Sequence, residues 1–279
     1  MRRRGKILLF LLVMLCFAVF AGYRFWQQRI VDHKPPQITI EQKELSLSVA
    51  DPQERLLEGI SASDARDGDV TGSLVVESVR GVVTDQRFTV TYAAFDAAGN
   101  VAKARRTVYY EDYIAPRFSL DAPLIFRDGV TPNVFSVVHA QDVIDGDLTR
   151  QVKGTLVAGE QRMPEQGEYT VEFRVTNSLG DTAYLTVPVE LVESWSGTPR
   201  VKLKEYLVYL EKGTSFHPRD YLSELNVGSM SISLDGTSGA VVSIKSDVNT
   251  EKAGTYRVDY TVTYDKQTAR TRLIVVVED

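Results

Sequence analysis

Phe88-Thr89-Val90-Thr91-Tyr92 is the stretch that decides the fold, because apolar and polar side chains alternate along it. It has two counterparts, Tyr169-Thr170-Val171-Glu172-Phe173 and Tyr256-Arg257-Val258-Asp259-Tyr260. In each stretch an aromatic residue, a valine and a second aromatic residue fall on one face, which is the pattern of a half-buried β-strand. The sequence therefore predicts an all-β body in which this strand occurs three times.

Two further patterns recur in step with that strand. A proline followed by polar and apolar residues in alternation precedes it by 52, 53 and 57 residues, and a β-branched stretch follows it. The proline-led stretches are Pro36-Gln37-Ile38-Thr39-Ile40, Pro116-Arg117-Phe118-Ser119-Leu120 and Pro199-Arg200-Val201-Lys202-Leu203. Units of about 80 residues built from short alternating strands are typical of Ig-like β-sandwiches. We predict three in tandem, at residues 35–112, 113–193 and 199–279.

The N-terminal segment has the pattern of a signal anchor. Four basic residues lie within residues 1–6, residues 7–23 are uncharged, and Arg24-Phe25-Trp26 follows. This order predicts a cytoplasmic tail at 1–6, a transmembrane helix at 7–26 and an extracellular C-terminal part. The alternative is a cleaved signal peptide, which would leave the protein secreted.

Composition argues against several classes of function. Residues 35–279 carry 25 basic and 36 acidic side chains, a net charge of −11, which disfavours nucleic-acid binding. The single cysteine, Cys16, lies in the apolar N-terminal stretch, so the body contains no disulfide. The sequence also lacks a nucleophile elbow and a phosphate-binding loop, and its three histidines are far apart. We therefore expect no enzyme.

Two loop motifs carry a family resemblance. Asp64-Ala65-Arg66-Asp67-Gly68-Asp69-Val70-Thr71 and Phe95-Asp96-Ala97-Ala98-Gly99-Asn100-Val101 resemble the bacterial Ig-like repeat of Gram-positive surface proteins and some pesticidal crystal proteins, itself similar to hyalin-type repeats. The second unit keeps the first motif as Asp142-Val143-Ile144-Asp145-Gly146-Asp147-Leu148-Thr149, whereas the third unit lacks it and is degenerate. The resemblance covers about 240 residues. It implies an Ig-like fold and a bacterial cell-surface location.

The aspartate-rich loops have two interpretations. Three carboxylates within six residues repel one another unless a cation or hydrogen bonds compensate, and calcium takes six to eight oxygen ligands. The calcium interpretation assigns Asp64, Asp67 and Asp69 as ligands in the first unit and Asp142, Asp145 and Asp147 in the second, with Asp96 or Asp112 completing the first site. In the other interpretation these residues form Asx-turns and no cofactor is bound.

Four aromatic residues expected to be exposed suggest a contact surface. The candidates are Tyr109, Tyr113, Tyr184 and Trp195. The function predicted from the sequence is a non-catalytic, membrane-anchored structural or adhesive surface protein, whose repeats serve as spacers or as modules that bind an extracellular protein. The alternative is a module that binds cell-wall material or glycan, which requires an exposed aromatic patch.

Overall fold

A computed structural model describes residues 2–30, 32–82, 87–127, 133–157, 166–192, 199–234 and 239–279. Trp195 and the predicted linker at 194–198 lie outside the described residues. Among the described residues the body is built from β-strands, which confirms the predicted all-β class.

One helix, α1, precedes the β-strands and spans Arg2–Ile30. Among the described residues, no helix is both long and apolar enough to cross a membrane. The transmembrane helix predicted at residues 7–26 is therefore not confirmed. The side chains of Leu8, Leu9 and Phe25, which belong to the predicted span, lie outside the described residues.

Seven strands in two sheets form the first β-sandwich. Its sheets have the strand orders β1-β3-β4 and β2-β7-β6-β5. The strands are β1 (Gln37–Ile40), β2 (Glu44–Leu47), β3 (Ile60–Asp64), β4 (Gly68–Asp69), β5 (Val75–Val82), β6 (Arg87–Phe95) and β7 (Val101–Tyr110).

The second sandwich repeats this order, with sheets β11-β10-β8 and β12-β13-β14-β9. Its strands are β8 (Arg117–Leu120), β9 (Ile125–Arg127), β10 (Val138–Asp142), β11 (Gly146–Asp147), β12 (Lys153–Leu156), β13 (Gly167–Thr176) and β14 (Thr182–Val192).

The third sandwich has sheets β15-β17-β18 and β16-β21-β20-β19. Its strands are β15 (Arg200–Leu203), β16 (Leu207–Glu211), β17 (Leu222–Val227), β18 (Met230–Ser233), β19 (Val241–Ser246), β20 (Gly254–Tyr264) and β21 (Gln267–Glu278). In all three sandwiches the second strand pairs parallel with the last, and the other described pairs are antiparallel.

The recurring sequence patterns occupy equivalent places in the three sandwiches. Pro36, Pro116 and Pro199 each stand one residue before the first strand, where the missing N–H removes no ladder hydrogen bond. The aromatic-Val-aromatic stretches lie in β6, β13 and β20, with the valine and second aromatic buried in each. These residues are central to three separate apolar cores.

The second aromatic of the stretch also fixes the 3₁₀ helix that connects the two sheets, Gln53–Leu57 in the first sandwich and Pro218–Tyr221 in the third. The Tyr92 hydroxyl donates to the Leu56 carbonyl at 2.8 Å, and the Tyr260 hydroxyl donates to the Pro218 carbonyl at 2.7 Å. Burial raises the pKa of both tyrosines. The equivalent residue of the second sandwich, Phe173, has no hydroxyl and instead packs edge-on against Phe135.

The chain divides into two compact units. Unit 1 comprises Met1–Asp112 and unit 2 comprises Tyr113–Asp279. The boundary falls where the first predicted domain ends, whereas the second and third sandwiches belong to one unit. The predicted boundary between those two lies outside the described residues.

Apolar contacts and ion pairs join the two sandwiches of unit 2. Leu207 and Ile274 of the third sandwich are part of the core cluster of the second. Arg117 lies over the Tyr209 ring, 4.9 Å from its centroid, and the Tyr209 hydroxyl accepts a hydrogen bond from the Phe118 amide. The joint therefore continues a hydrophobic core from one sandwich into the next, as a stiff connection requires.

A second set of contacts in this joint is ionic. Glu168 and Glu190 face each other across β13 and β14, an arrangement that is repulsive by itself. Arg257 of β20 donates to both carboxylate oxygens of Glu168 at 2.7 Å, and Arg272 of β21 reaches Glu168 at 3.2 Å and Glu190 at 3.4 Å. The arginines of the third sandwich thus neutralise two carboxylates of the second.

Candidate functional site

The first aspartate-rich loop lies between β3 and β4. The Asp64 side chain is 8% exposed, and its Oδ1 accepts hydrogen bonds from the backbone amides of Arg66 at 2.7 Å and Asp67 at 3.0 Å. Gly68 then adopts a φ of 76°, which glycine tolerates best. The amide hydrogen bonds, that from Arg66 foremost, lower the pKa of Asp64, so the carboxylate is held ionised.

The other two predicted ligands of this loop also bind backbone amides. Asp67 Oδ2 accepts from the Ala97 amide at 2.9 Å, and Asp69 Oδ1 accepts from the Thr71 amide at 2.9 Å. Hydrogen bonding by Thr71 lowers the pKa of Asp69. These contacts are those of the Asx-turn interpretation.

Three carboxylates of unit 1 nevertheless converge. Oxygens of Asp32, Asp64 and Asp96 all lie within 4.8 Å of one another. Asp96 is 8% exposed and lies in the turn from β6 to β7, whereas Asp32 precedes β1. We refer to these three residues as the carboxylate cluster.

Asn100 holds the carboxylate cluster in place. Its side-chain amide donates to Asp96 Oδ2 at 2.7 Å and to the backbone carbonyls of Asp32 at 3.1 Å and Lys34 at 3.3 Å. The Asn100 backbone amide also donates to Asp96 Oδ1 at 2.8 Å. One asparagine therefore ties the turn after β6 to the segment that precedes β1.

If calcium binds unit 1, this geometry assigns it a set of ligands that differs from the predicted one. Of the predicted ligands, Asp64 and Asp96 belong to the carboxylate cluster, whereas Asp67 and Asp69 do not. Asp112 instead accepts hydrogen bonds from the Ser48 hydroxyl and the Val49 amide. Asp32 was not predicted, because it lies more than 30 residues from Asp64 and no repeat pattern includes it.

The second loop, between β10 and β11, has the same local hydrogen bonds. Asp142 Oδ1 accepts from the amides of Ile144 and Asp145, both at 2.9 Å. Asp145 accepts from the Ser178 amide and hydroxyl, and Asp147 Oδ1 accepts from the Thr149 amide at 2.9 Å. All three predicted ligands of this loop therefore bind the protein's own donors.

The surroundings of Asp142 differ from those of Asp64. Asn177 occupies the position of Asp96, and Asp181 occupies the position of Asn100, so the acid and the amide are exchanged. Asn177 Nδ2 donates to Asp142 Oδ2 at 3.1 Å and to the Tyr113 hydroxyl at 2.8 Å. The Tyr113 hydroxyl in turn donates to Asp181 Oδ2 at 2.7 Å.

This network supplies a donor to each buried carboxylate in it. The Asp181 backbone amide donates to Asn177 Oδ1 at 2.9 Å, which orients the Asn177 side chain so that its Nδ2 faces Asp142 and Tyr113. Burial, and then the contact with Asp181, raises the pKa of Tyr113, so the phenol stays protonated as a donor. In unit 2, the described residues contain no cluster of three metal-ligand side chains.

Two of the aromatic residues predicted to form a contact surface are exposed. Tyr184 is 61% exposed and Tyr109 is 39% exposed, but they belong to different units. The expectation that Tyr113 is a surface contact residue was wrong, because its ring is buried and its hydroxyl is shared by Asn177 and Asp181. Trp195 lies outside the described residues.

No family model matches the chain. An uncharacterized 81.3 kDa protein of Acholeplasma phage L2 is 28% identical over 158 residues, which is 55% of this chain. The chain spans only about a fifth of that relative, 19% of its length.

Among solved structures, the CBM51-2 domain in complex with GlcNAc with INT domains from Clostridium perfringens ZmpB matches 55% of this chain and 41% of its own, at 15% identity and a TM-score of 0.23. Drosophila N-cadherin EC1-4 matches 90% of this chain and 76% of its own, at 13% identity and a TM-score of 0.23. The protocadherin GammaB4 extracellular domain matches 88% of this chain and 50% of its own, at 12% identity and a TM-score of 0.21. At scores this low, these similarities support no inference about function.

Proposed function

We propose that the protein is a non-catalytic surface protein whose Ig-like sandwiches act as a spacer and as protein-interaction modules. The observation that carries this proposal is the joint of unit 2. There Leu207 and Ile274 extend the core of the neighbouring sandwich, and Arg257 and Arg272 neutralise Glu168 and Glu190. A joint that combines buried apolar side chains with several ion pairs resists bending, which suits a spacer.

The stiffness of this joint can be measured by double electron-electron resonance, which gives the distribution of distances between two spin labels. Cys16→Ser removes the native thiol, and Lys153→Cys and Lys252→Cys place labels on exposed sites of the second and third sandwiches. We expect a narrow distance distribution that broadens when Arg257 and Arg272 are both changed to Ala. A broad distribution in the otherwise unmodified chain would sink the spacer proposal.

Membrane attachment through α1 is the second part of the proposal. It is supported by the basic residues at 1–6, the uncharged stretch at 7–23 and the aromatic pair that follows. The sandwiches would then lie outside the cell. Carbonate-washed membranes should retain the full chain, and externally added protease should digest the sandwiches; release of an intact shorter protein into the medium would favour a cleaved signal peptide.

Glycan or cell-wall binding is the alternative function. The observation that favours it is Tyr184, a largely exposed ring on the outer face of β14, where it pairs in register with Arg174. Aromatic rings stack on sugars, and a neighbouring guanidinium hydrogen bonds their hydroxyl groups. Sedimentation with purified wall polysaccharide tests this function, because Tyr184→Ala should abolish binding if Tyr184 carries it, whereas Tyr109→Ala serves as the matched control.

A further inference from the structure

The outer face of β5, β6 and β7 in unit 1 carries a shallow depression of about 680 Å³. Hydroxyl and basic side chains line it, and the basic ones are Arg80, Lys103 and Arg105. The hydroxyl groups are those of Ser78, Thr89 and Thr91. Because alternate residues of a strand point outward, these side chains belong to the face opposite the core.

Two of the three basic groups have no carboxylate partner in the described part of unit 1. Lys103 pairs with Glu77 at the edge of the depression. Arg80 and Arg105 are exposed and form no ion pair with any described residue of unit 1. We call Arg80, Arg105 and the threonines between them the basic face. It carries a charge of about +2 in a body that is otherwise strongly acidic.

The third sandwich carries cations at two equivalent positions of this face, with Asp259 where the first sandwich has Thr91. Arg105 pairs in register with Thr91, one residue before the second aromatic of the β6 stretch. Arg272 pairs with Asp259 at the equivalent position of β20. Two residues along each strand, on the same face of the sheet, Lys103 pairs with Ala93 and Arg270 pairs with Thr261. The two sandwiches therefore place cations at the same two points of the sheet.

In the third sandwich, carboxylates of a neighbouring sandwich occupy this face. Glu190 lies 3.3 Å from Arg270 and 3.4 Å from Arg272, and Glu168 lies 3.2 Å from Arg272. The contact buries the Arg272 side chain, which is 3% exposed, and leaves Arg270 accessible at 55%. The chain thus contains an example of the partner that such a face accepts, namely two glutamates opposite each other at the end of a β-sheet.

We propose that the basic face of unit 1 docks an acidic protein surface that presents paired carboxylates, as the second sandwich does to the third. The proposal rests on the interaction role proposed above and names the chemistry of the partner. A guanidinium group forms two parallel hydrogen bonds with one carboxylate, and the threonine hydroxyls between Arg80 and Arg105 can donate to the remaining lone pairs. Arg80 lies on β5 and Arg105 on β7, the two strands that flank β6, so each guanidinium group would take a different carboxylate of the partner.

The test measures binding of a fluorescent octaglutamate peptide to the full chain in nonionic detergent, by anisotropy at low salt. The variant Arg80→Thr/Arg105→Thr keeps strand propensity and removes both free guanidinium groups. We expect its affinity to be about tenfold lower, since each exposed ion pair contributes a factor of about two to five. The control, Lys204→Thr/Arg219→Thr, removes the same charge from exposed residues of the third sandwich and should change affinity less than twofold.

Misfolding could explain a loss of affinity but not a gain, so a second variant is designed to raise affinity. Glu77→Gln releases Lys103 from its ion pair and should raise affinity about twofold to fourfold, with the effect lost at high salt. Equal losses in the test and control variants, no saturable binding by the unmodified chain, or preference for polyphosphate or a uronate polysaccharide over octaglutamate would each overturn the proposal. The spin-label measurement on the joint reports on the spacer role separately, so failure of one does not imply failure of the other.

Discussion

Unit 1 and unit 2 place charge on the same scaffold but neutralise it differently. In unit 2, Tyr113 and Asn177 supply donors to Asp142 and Asp181, and Glu190 covers Arg272. In unit 1 the equivalent loop gathers three carboxylates, and the equivalent sheet face carries two arginines that form no ion pair with the residues that the structure describes. Charges that have internal partners stabilise the fold, whereas charges without them are available to a ligand or partner.

The largest expected effect comes from the equivalent arginines of the two sheet faces. Arg272→Ala should destabilise unit 2 by about 3 kcal/mol, because Asp259, Glu168 and Glu190 lose their shared partner in a mostly buried site. Arg105→Ala should change the stability of unit 1 by no more than about 0.5 kcal/mol, since its side chain is exposed. Hydrogen exchange read by mass spectrometry resolves the two units, and similar losses in both would contradict the comparison.

Substitutions in the surroundings of the two aspartate-rich loops should change stability in opposite directions. Asn177→Asp should destabilise unit 2 by about 3 kcal/mol at neutral pH, because it adds a carboxylate beside Asp142 and removes the donor that both Asp142 and Tyr113 use. Asp32→Asn, which removes one charge from the carboxylate cluster, should leave unit 1 unchanged or stabilise it by up to about 1 kcal/mol. Hydrogen exchange of peptides that contain each loop measures the stability change of each unit. Destabilisation of unit 1 by Asp32→Asn in a cation-free buffer would show that the carboxylates of the cluster do not repel one another.

Calcium should sharpen the difference between the loops. With 10 mM calcium and a dissociation constant of about 1 mM, typical of extracellular modules, unit 1 should gain about 1.4 kcal/mol. We expect unit 2 to show no comparable gain, because Tyr113 and Asn177 already satisfy the groups around Asp142. Thermal unfolding with calcium, magnesium and a chelator tests this, and Asp32→Asn should remove the response. Stabilisation of both units alike would point to nonspecific binding by the acidic body.

The smallest expected effect is a pH dependence of the first loop. The folded-state pKa of Asp64 lies below its ordinary value of 3.8, so the amide hydrogen bonds to it stabilise the loop above that pH. Protonation in the folded state removes this contribution as the pH falls below 3.8. NMR titration should show the Arg66 and Asp67 amide shifts moving in that range, and Asp64→Asn should abolish the movement; an apparent pKa above 3.8 would mean that repulsion from Asp32 and Asp96 outweighs the amide hydrogen bonds.

The structure also shows where reasoning from the sequence succeeded on the loops and where it failed. Asp64 and Asp142 were identified because the Asp-x-x-Asp-Gly-Asp spacing is local, and the Asx-turn contacts of both loops follow from the same spacing. The neighbours of each carboxylate were missed. Asp32 and Tyr113 reach the loops from segments that precede the first strand of their sandwiches, and no periodicity of the sequence relates them to the motif.

The sequence by itself determined the all-β class, the places of the three aromatic-Val-aromatic strands and the prolines that precede the first strands. These features depend on alternation along a single strand and on local backbone chemistry, which are properties of neighbouring residues. The tertiary structure alone decided which carboxylates meet and which arginines are covered. Glu190 and Arg272 lie 82 residues apart, and packing of one sheet end against another sheet face brings them together. Such contacts depend on how whole sandwiches pack, and that information is spread over the entire chain.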